Sequence, residues 1–383
     1  MQTRSENKSP LKTLDLRKAA DGGSIGSVSG NFDRCQFSPD GRFLSCSNWL
    51  EVILYHVPAG RIVYRLPLAR VENEFRSLTF SPDSRLAAVA SSNSKDAKDA
   101  RFGQIDIWET TTGTKRATLI VGRALLETLA FSPDGTLLAG GDDEGVLHLW
   151  SMATGKEVRQ LSGHRGRIAS LVFSHDGKRL ASGSWDTTAL IWDIGESADF
   201  VRPQPTEVSK DRLEQLWADL ADDDGERVHR AIWALAACPP FVPWLRGHLK
   251  PVAPIDPKQL VQWVADLDNE AFEVREKATL ELEAMKEAAE PTLQSVLAGE
   301  PSLEARRRVE LILKKLQDLP YLSPSTLRAY RTLEVLEHLG TLESRRFLQH
   351  LAAGHPRARL TYEAKNSLQR LTATIPSTSK RRD

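Results

Sequence analysis

A five-residue motif recurs four times in the first half of the chain. The segments FSPDG, FSPDS, FSPDG and FSHDG begin at Phe37, Phe80, Phe131 and Phe173. Successive phenylalanines therefore stand 43, 51 and 42 positions apart. A period of about 40–45 residues indicates one supersecondary unit that is copied along the chain, with an insertion in the second copy.

Each copy has the internal pattern of four short strands. An alternating apolar run such as LETLAF or IASLVF ends at the phenylalanine, which is typical of a strand with one buried face. The next residues favour a tight turn, because proline presets its second position and Asp and Gly fit the last two. Two further strands follow, and a fourth comes after a Gly-containing turn. The aromatic residues that end the third strands are Tyr55, Trp108, Trp150 and Trp192.

The copies resemble WD40 repeats over residues 32–195. The fourth copy carries the signatures of that family most fully, with SGH at 162–164, SGSWD at 182–186 and LIWD at 190–193. The resemblance implies a β-propeller built from blades of four strands. The predicted blades are about 32–69, 70–122, 123–163 and 164–195.

The resemblance also implies a hydrogen-bonded network inside the fourth blade. By position its members are His164, Ser182, Asp186 and Trp192. A charged carboxylate in a turn needs a donor such as imidazole, and the indole N–H and the hydroxyl complete a satisfied set. The same residue types could form a catalytic triad, but the WD40 setting favours the structural interpretation.

The other copies depart from this pattern. Glu144 and Gly140 stand where the fourth copy has Asp186 and Ser182, so these blades are expected to depend mainly on apolar packing. The second copy contains nine extra residues within 91–103. This polar insertion is predicted to be an exposed loop, either as a contact site or as a tolerated insertion.

The chain supplies four sets of the first three strands but only three fourth strands. WD40 rings usually fill such a gap with an N-terminal strand, and LKTLDLRK at 11–18, within the polar segment 1–31, is the candidate. Its spacing is unusual, because Leu16 lies 21 positions before Phe37 whereas the later copies have 12. We expect a partial propeller of four blades with exposed edges. A second copy, another partner or a further part of a longer protein would complete it.

After Gly195 the apolar period changes from two residues to that of a helix. Residues 196–210 are polar and contain two prolines, as expected for a linker. Residues 211–374 predict about ten helices in an α-solenoid or a helical bundle. The basic end, 375–383, is predicted to be a disordered tail.

One part of this helical region resembles a HEAT-type helix pair. Val274, Arg275 and Ala278 match the pattern of the first helix, and the second helix is expected to begin near Pro291. The resemblance implies a small α-solenoid, and a helical bundle without repeats stays open as the alternative.

Charge is uneven in the helical half, although the whole chain has a formal net charge of zero. Residues 201–300 hold 11 Lys/Arg and 19 Asp/Glu, whereas residues 301–383 hold 16 and 8. A basic patch of this kind could bind nucleic-acid phosphates. No aromatic interleaving accompanies it, so pairing of the two charged regions or solvation of helix faces is the preferred interpretation. The candidate patch is Arg306, Arg307, Arg308, Lys314 and Lys315.

No motif predicts catalysis, a cofactor or a metal ion. GGSIG at 22–26 matches G-x-S-x-G but lacks the strand and helix of a nucleophile elbow, so it is interpreted as a loop. Cys35, Cys46 and Cys238 have no C-x-x-C spacing and are interpreted as buried or half-buried thiols in a reducing compartment. No stretch predicts a signal peptide or a membrane span, and we expect a cytoplasmic protein.

Together the two halves predict a non-enzymatic scaffold for protein–protein interaction, because propellers and solenoids both present broad, rigid surfaces. The pairing is similar to the C-terminal end of large bacterial WD40 proteins, which implies a role in signalling or regulation. Two alternatives remain open. One is a nucleic-acid-binding helical domain, and the other is a ligand-binding or enzymatic propeller with a site in its central channel.

Overall fold

A computed structural model gives the structure of the chain. It divides near residue 202 into a compact β-sheet unit and a compact helical unit. Residues 196–207 of the predicted linker and 375–383 of the predicted tail lie outside the described residues. The structure describes residues 13–17, 24–30, 32–48, 51–58, 60–67, 73–93, 102–195, 208–252, 257–285, 289–299, 301–318, 323–356 and 358–373.

The β-sheet unit consists of a hairpin and four antiparallel sheets in chain order. The hairpin is β1 (Thr13–Arg17) and β2 (Ser24–Ser29). The first sheet is β3 (Arg34–Phe37), β4 (Phe43–Ser47), β5 (Glu51–His56) and β6 (Arg61–Pro67). The second is β7 (Asn73–Phe80), β8 (Leu86–Asn93), β9 (Phe102–Glu109) and β10 (Lys115–Gly122). The third is β11 (Leu126–Phe131), β12 (Leu137–Asp142), β13 (Val146–Ser151) and β14 (Glu157–Ser162). The fourth is β15 (Ile168–Phe173), β16 (Arg179–Ser184) and β17 (Ala189–Asp193).

The predicted architecture of successive blade-like sheets is confirmed. Within each sheet every strand pairs with the next along the chain. The first three sheets have four strands, and the fourth has three among the described residues.

Three local expectations were wrong. The strand proposed to complete the fourth sheet pairs instead with β2, with Thr13 opposite Ser29, because its apolar residues pack against the first sheet. The GGSIG segment is not wholly loop, since β2 begins at Ser24. Cys35 is exposed rather than half-buried, because β3 is an edge strand of the first sheet and all four of its residues are exposed.

The Ser-Pro-Asp-Gly turns share one set of hydrogen bonds. In the third sheet, Ser132 Oγ donates to Asp134 Oδ1 at 2.6 Å and accepts from the N–H of Leu137 at 2.9 Å. The same pair of bonds recurs at Ser38, Ser81 and Ser174. The turn therefore needs Ser and Asp for their oxygens, which explains the repeat better than proline does, since the fourth copy lacks it.

Neighbouring sheets bury apolar side chains between their faces. We call the face turned toward the next sheet along the chain the front and the opposite one the back. Phe43 and Leu54 on the front of the first sheet pack with Phe80 and Ala87 of the second. The back of the first sheet is covered by the β1–β2 hairpin, whose Val28 is fully buried. The series of four sheets is thus covered at its first end by the hairpin.

The helical unit contains ten helices among its described residues, which agrees with the predicted number. They are α1 (Lys210–Asp219), α2 (Gly225–Ala236), α3 (Phe241–Leu245), α4 (Pro257–Asp266), α5 (Phe272–Ala284), α6 (Glu290–Ala298), α7 (Leu303–Asp318), α8 (Pro324–Leu339), α9 (Leu342–Ala352) and α10 (Arg359–Ala373). One apolar cluster joins α1–α3 with α8–α10, and a second joins α4–α7.

The segment resembling a HEAT pair forms α5 and α6. Ala278 is buried in the second apolar cluster, and α6 begins at Glu290, one residue before Pro291. A pair of this kind is common to bundles and solenoids, so the assignment to HEAT repeats stays a prediction.

Candidate functional site

Three side chains of the fourth sheet and its turns form one hydrogen-bonded network with His164, which lies in the loop before β15. Nδ1 of His164 lies 3.0 Å from Oδ2 of Asp186, and its Nε2 lies 2.7 Å from Oγ of Ser182. The indole N–H of Trp192 donates to the same serine oxygen at 2.7 Å. Because the charged carboxylate of Asp186 can only accept, Nδ1 of His164 carries the proton, and in the neutral imidazole Nε2 accepts the proton of Ser182. This arrangement assigns the tautomer of His164 that donates from Nδ1 to Asp186.

The register of the sheet brings these residues together. Leu180 is opposite Trp192 across β16 and β17, so Ser182 lies two positions further on the same face and diagonal to the indole. His164 follows β14, and Asp186 lies in the turn between β16 and β17.

Hydrogen-bond donors converge on Asp186. The hydroxyl and the N–H of Thr188 donate to Oδ1 at 2.6 and 2.9 Å, and the N–H of Arg165 donates to Oδ2 at 2.8 Å. These bonds, the Thr188 hydroxyl foremost, hold the pKa of Asp186 well below its usual range. A carboxylate that stays charged in this way fixes the turn and does not carry protons.

This geometry lacks the accessible nucleophile of a hydrolase. Ser182 is buried, and its oxygen is engaged by both the indole and the imidazole. A substrate carbonyl cannot approach an oxygen in that position.

The equivalent aromatic groups in the other sheets have no such acceptor. The positions that correspond to Ser182 are Cys46, Val89 and Gly140. The hydroxyl of Tyr55 and the indole nitrogens of Trp108 and Trp150 are buried without a hydrogen-bond partner among the described atoms. Burial also raises the pKa of Tyr55. These three sheets therefore rely on apolar contacts at this position.

The third sheet has a different polar group, which the sequence motifs did not reveal. Nε2 of His148 lies 3.1 Å from Oδ2 of Asp142, and Nδ1 lies 2.5 Å from Oε1 of Glu157. Burial opposes protonation of this imidazole, but the bonds to the two carboxylates outweigh it and raise the pKa of His148. The ring also stacks on Trp150, with centroids 5.5 Å apart.

The front of the fourth sheet is an open apolar face, which we define as Val172, Ala189 and Ile191. In the third sheet the residue equivalent to Ile191 is Leu149, and it is fully buried against Ile168 and Leu180 of the fourth sheet. Ile191 itself is 74% exposed and Val172 is 62% exposed. A face that is apolar in both sheets is thus covered in one and uncovered in the other.

The outer side of β17 is an open edge. The N–H of Ile194 donates to Lys178 and that of Ser184 to Thr188, at 2.9 and 3.0 Å. The alternation of an antiparallel ladder therefore directs the backbone N–H and C=O of Ala189, Ile191 and Asp193 away from β16. No described strand lies on that side of β17.

The second and third sheets show how the equivalent edge is paired when a fourth strand is present. Glu109 and Ser151 are the residues equivalent to Asp193. Their N–H groups donate to the carbonyls of Thr114 and Lys156, the residues directly before the fourth strands, both at 2.9 Å. The fourth sheet thus has the equivalent N–H donor but no described fourth strand to accept its hydrogen bond.

The comparison with family models identifies the segments that form the third and fourth sheets. The family described as "WD domain, G-beta repeat" matches residues 122–151 and 155–193. Residues 122–193 therefore carry WD40 repeats. The first two sheets have the same strand order without being matched.

The second matched WD40 segment extends across two sheets. Residues 155–193 contain β14, which completes the third sheet, and β15–β17, which begin the fourth. A WD40 repeat along the chain therefore supplies the outer strand of one blade and the inner three strands of the next. Among the described residues no strand pairs with the outer edge of β17, which is the place that the first strand of a further repeat would take.

Comparison with solved structures gives a weaker likeness. A chain of the "Crystal Structure of Mitotic Checkpoint Complex" is 20% identical, with a TM-score of 0.38, over 51% of this chain and 57% of that chain. A likeness of this size does not extend to function or partners. No curated protein matches the chain in sequence.

The predicted basic patch lies on α7. Arg306 and Arg307 are exposed, but Nε of Arg308 donates to Glu304 at 2.7 Å and its Nη1 lies 3.4 Å from Glu276. The side chains of Lys314 and Lys315 lie outside the described part of the structure. One of the five cations is therefore paired with acidic residues of its own unit.

The predicted insertion loop falls mostly outside the described residues, which resume at Phe102 after Asn93. Within the part of the chain that the structure describes, no group of three or more His, Cys, Asp or Glu side chains is suited to holding a metal ion. No described helix combines the length and the apolar character of a membrane span.

Proposed function

We propose that the protein is a non-enzymatic protein-interaction scaffold whose docking element is the fourth sheet. The observation that carries the proposal is the contrast between Leu149, fully buried, and Ile191, 74% exposed, at equivalent positions of two WD40 sheets. A contiguous apolar face beside an unpaired strand edge is characteristic of a site that another polypeptide covers.

The occupant that fits both features is a repeat unit of the same kind from a partner polypeptide. Its first strand would pair antiparallel with β17, as β14 pairs with β13. Its next three strands would cover Val172 and Ile191, as β15–β17 cover Leu149. A single strand would pair with the edge of β17 only, and a separate sheet would cover the apolar face only, whereas a repeat unit would do both.

The edge can be tested with a peptide of residues 155–163, which carries the strand that occupies this place in the third sheet. We expect fluorescence anisotropy to show saturable binding of the labelled peptide to the full chain. Ile191→Pro removes an N–H directed at the edge without removing a bond to β16. It should weaken binding at least about tenfold.

The matched control is Ile191→Val, which keeps the N–H and a β-branched side chain, and it should bind the peptide as the wild type does. A scrambled peptide should not bind. Equal binding by the proline and valine variants would contradict docking at this edge. Sedimentation velocity of the full chain, run in parallel, would identify a second copy as the occupant if Ile191→Pro abolished self-association.

The other functions considered have less support. For nucleic acid, the engagement of Arg308 by Glu304 removes part of the basic patch. For catalysis, the buried Ser182 offers no reachable nucleophile. A bacterial signalling or regulatory context, HEAT repeats and a cytoplasmic location stay predictions from the sequence.

A further inference from the structure

Two of the three cysteines face each other across the first sheet. Cys35 on β3 is directly opposite Cys46 on β4, and their sulfur atoms lie 3.0 Å apart. The N–H of Ser38 donates to the carbonyl of Phe43 at 2.8 Å, so by alternation Cys35 and Cys46 form a non-hydrogen-bonded pair. Side chains approach each other most closely at such pairs, whose typical Cα separation of about 4.5 Å lies within the range that a disulfide spans.

The two thiols differ in their access to solvent. Cys35 is exposed on a strand whose four residues are all exposed, whereas Cys46 is fully buried. Burial raises the pKa of the Cys46 thiol. A dissolved oxidant therefore meets Cys35 first, with Cys46 already in contact behind it.

We propose that Cys35 and Cys46 are an oxidative modification site, at which a peroxide converts the thiol pair into an intramolecular disulfide. In the first step the Cys35 sulfur attacks one peroxide oxygen, the O–O bond breaks, and a sulfenic acid and one water form when the peroxide is H₂O₂. In the second step the Cys46 sulfur attacks the Cys35 sulfur and its thiol proton leaves with the hydroxyl as a second water. The two thiols lose two electrons and the peroxide gains them.

The disulfide would fasten the strand at the edge of the first sheet. β3 pairs only with β4 among the described strands. The bond would close the hairpin around the Ser-Pro-Asp-Gly turn and hold β3 in register. Oxidation is thus expected to slow amide exchange along β3 without altering the other sheets.

The test is to treat the full native chain with H₂O₂ and then to unfold and alkylate it before measuring its intact mass. The chain has three free thiols, and we expect alkylation of all three before treatment and of one afterwards. Peptide mapping should show residues 35 and 46 joined, with a loss of about 2 Da.

Three variants make the result decisive. Cys238→Ser removes the remaining buried thiol and should leave formation of the disulfide unchanged. Cys35→Ser, at an exposed position, and Cys46→Ala should each abolish it. Oxidation of Cys35 to a sulfinic acid while Cys46 stays reactive, a disulfide between two chains, or retention of all three thiols would each overturn the proposal.

Discussion

The third and fourth sheets share a strand pattern, a Ser–Asp turn and a tryptophan at the same position, yet different interactions hold them. The third sheet is covered on its front by the fourth, and its Trp150 N–H has no acceptor among the described atoms. The fourth sheet has an uncovered front, and its Trp192 N–H is bonded to Ser182.

The difference shows how a sheet that has no described neighbour on one side is stabilised. Between two sheets, burial of side chains such as Leu149 supplies the stabilisation, since each buried aliphatic side chain contributes about 1.5–3 kcal/mol. At the open end that contribution is smaller. There the hydrogen-bonded network of His164, Ser182 and Trp192, which is bonded to Asp186, contributes hydrogen bonds that do not depend on a following sheet.

The largest expected effect comes from truncating the equivalent apolar residues. Leu149→Ala leaves a cavity between two sheets and should lower the free energy of unfolding by about 2–5 kcal/mol. Ile191→Ala should change it by no more than about 0.5 kcal/mol, because the side chain is already in solvent. Urea titration of both variants followed by circular dichroism measures the difference. Similar losses at the two positions would mean that the fourth sheet is covered.

The network should show the next largest effect. Ser182→Ala leaves the Trp192 N–H and Nε2 of His164 without a partner, which should lower the free energy of unfolding by about 1–3 kcal/mol. Ser170→Ala, an exposed serine of the same sheet, is the matched control and should be nearly neutral. In a double-mutant cycle with Trp192→Phe the two losses should be non-additive by at least about 0.5 kcal/mol. Strict additivity would exclude a coupled network.

The turn between the second and third strands of a sheet contains threonine in the fourth sheet and glycine in the third, so the two residues can be exchanged. Thr187 has φ +69° where the third sheet has Gly145 at φ +90°. A β-branched residue is strained there by about 1–3 kcal/mol, so Thr187→Gly should stabilise the fold by about 1 kcal/mol after the entropic cost of glycine.

Gly145→Thr should destabilise the fold, since a Cβ at that position would lie 2.8 Å from the carbonyl oxygen of His164. Thermal denaturation of both variants measures the pair of effects. A destabilised Thr187→Gly variant would show that the threonine side chain makes a compensating contact.

The third sheet should respond to pH through His148. Its pKa in the folded chain is raised by the bonds to Asp142 and Glu157. The associated stability is therefore fully present below the unfolded-state pKa of about 6.5 and is lost as pH rises through the folded-state pKa. The free energy of unfolding, measured between about pH 6 and 9, should fall with pH in the wild type and fall less in His148→Gln. Identical slopes would show that His148 does not titrate with folding.

Much of the β-sheet unit could be predicted from the sequence, because its determinants are local. The strand period, the Ser–Asp turn and the positions of His164, Ser182 and Trp192 are readable from spacing and from the family resemblance. The pairing of β1 was not predictable in this way, since a five-residue strand is placed by whichever apolar face it can cover.

Two groups of interacting side chains escaped detection for a related reason. His148, Asp142 and Glu157 come from three strands at separations that match no motif. Cys35 and Cys46 meet only through the register of β3 and β4, although their positions, each three residues from the turn Ser38–Phe43, were a usable signal. Spacing rules for metal sites and disulfide frameworks do not include such cross-strand pairs.

The most direct test of the open fourth sheet is residue-resolved amide hydrogen exchange across β17 in the monomeric chain. The N–H groups of Leu190 and Trp192 face β16 and should exchange slowly, whereas those of Ala189, Ile191 and Asp193 face the open edge and should exchange rapidly. In β13 the N–H groups at the positions equivalent to both sets should exchange slowly, because β13 is paired with a strand on each side. Uniformly slow exchange along β17 would contradict the account, since it would require a strand already paired with that edge.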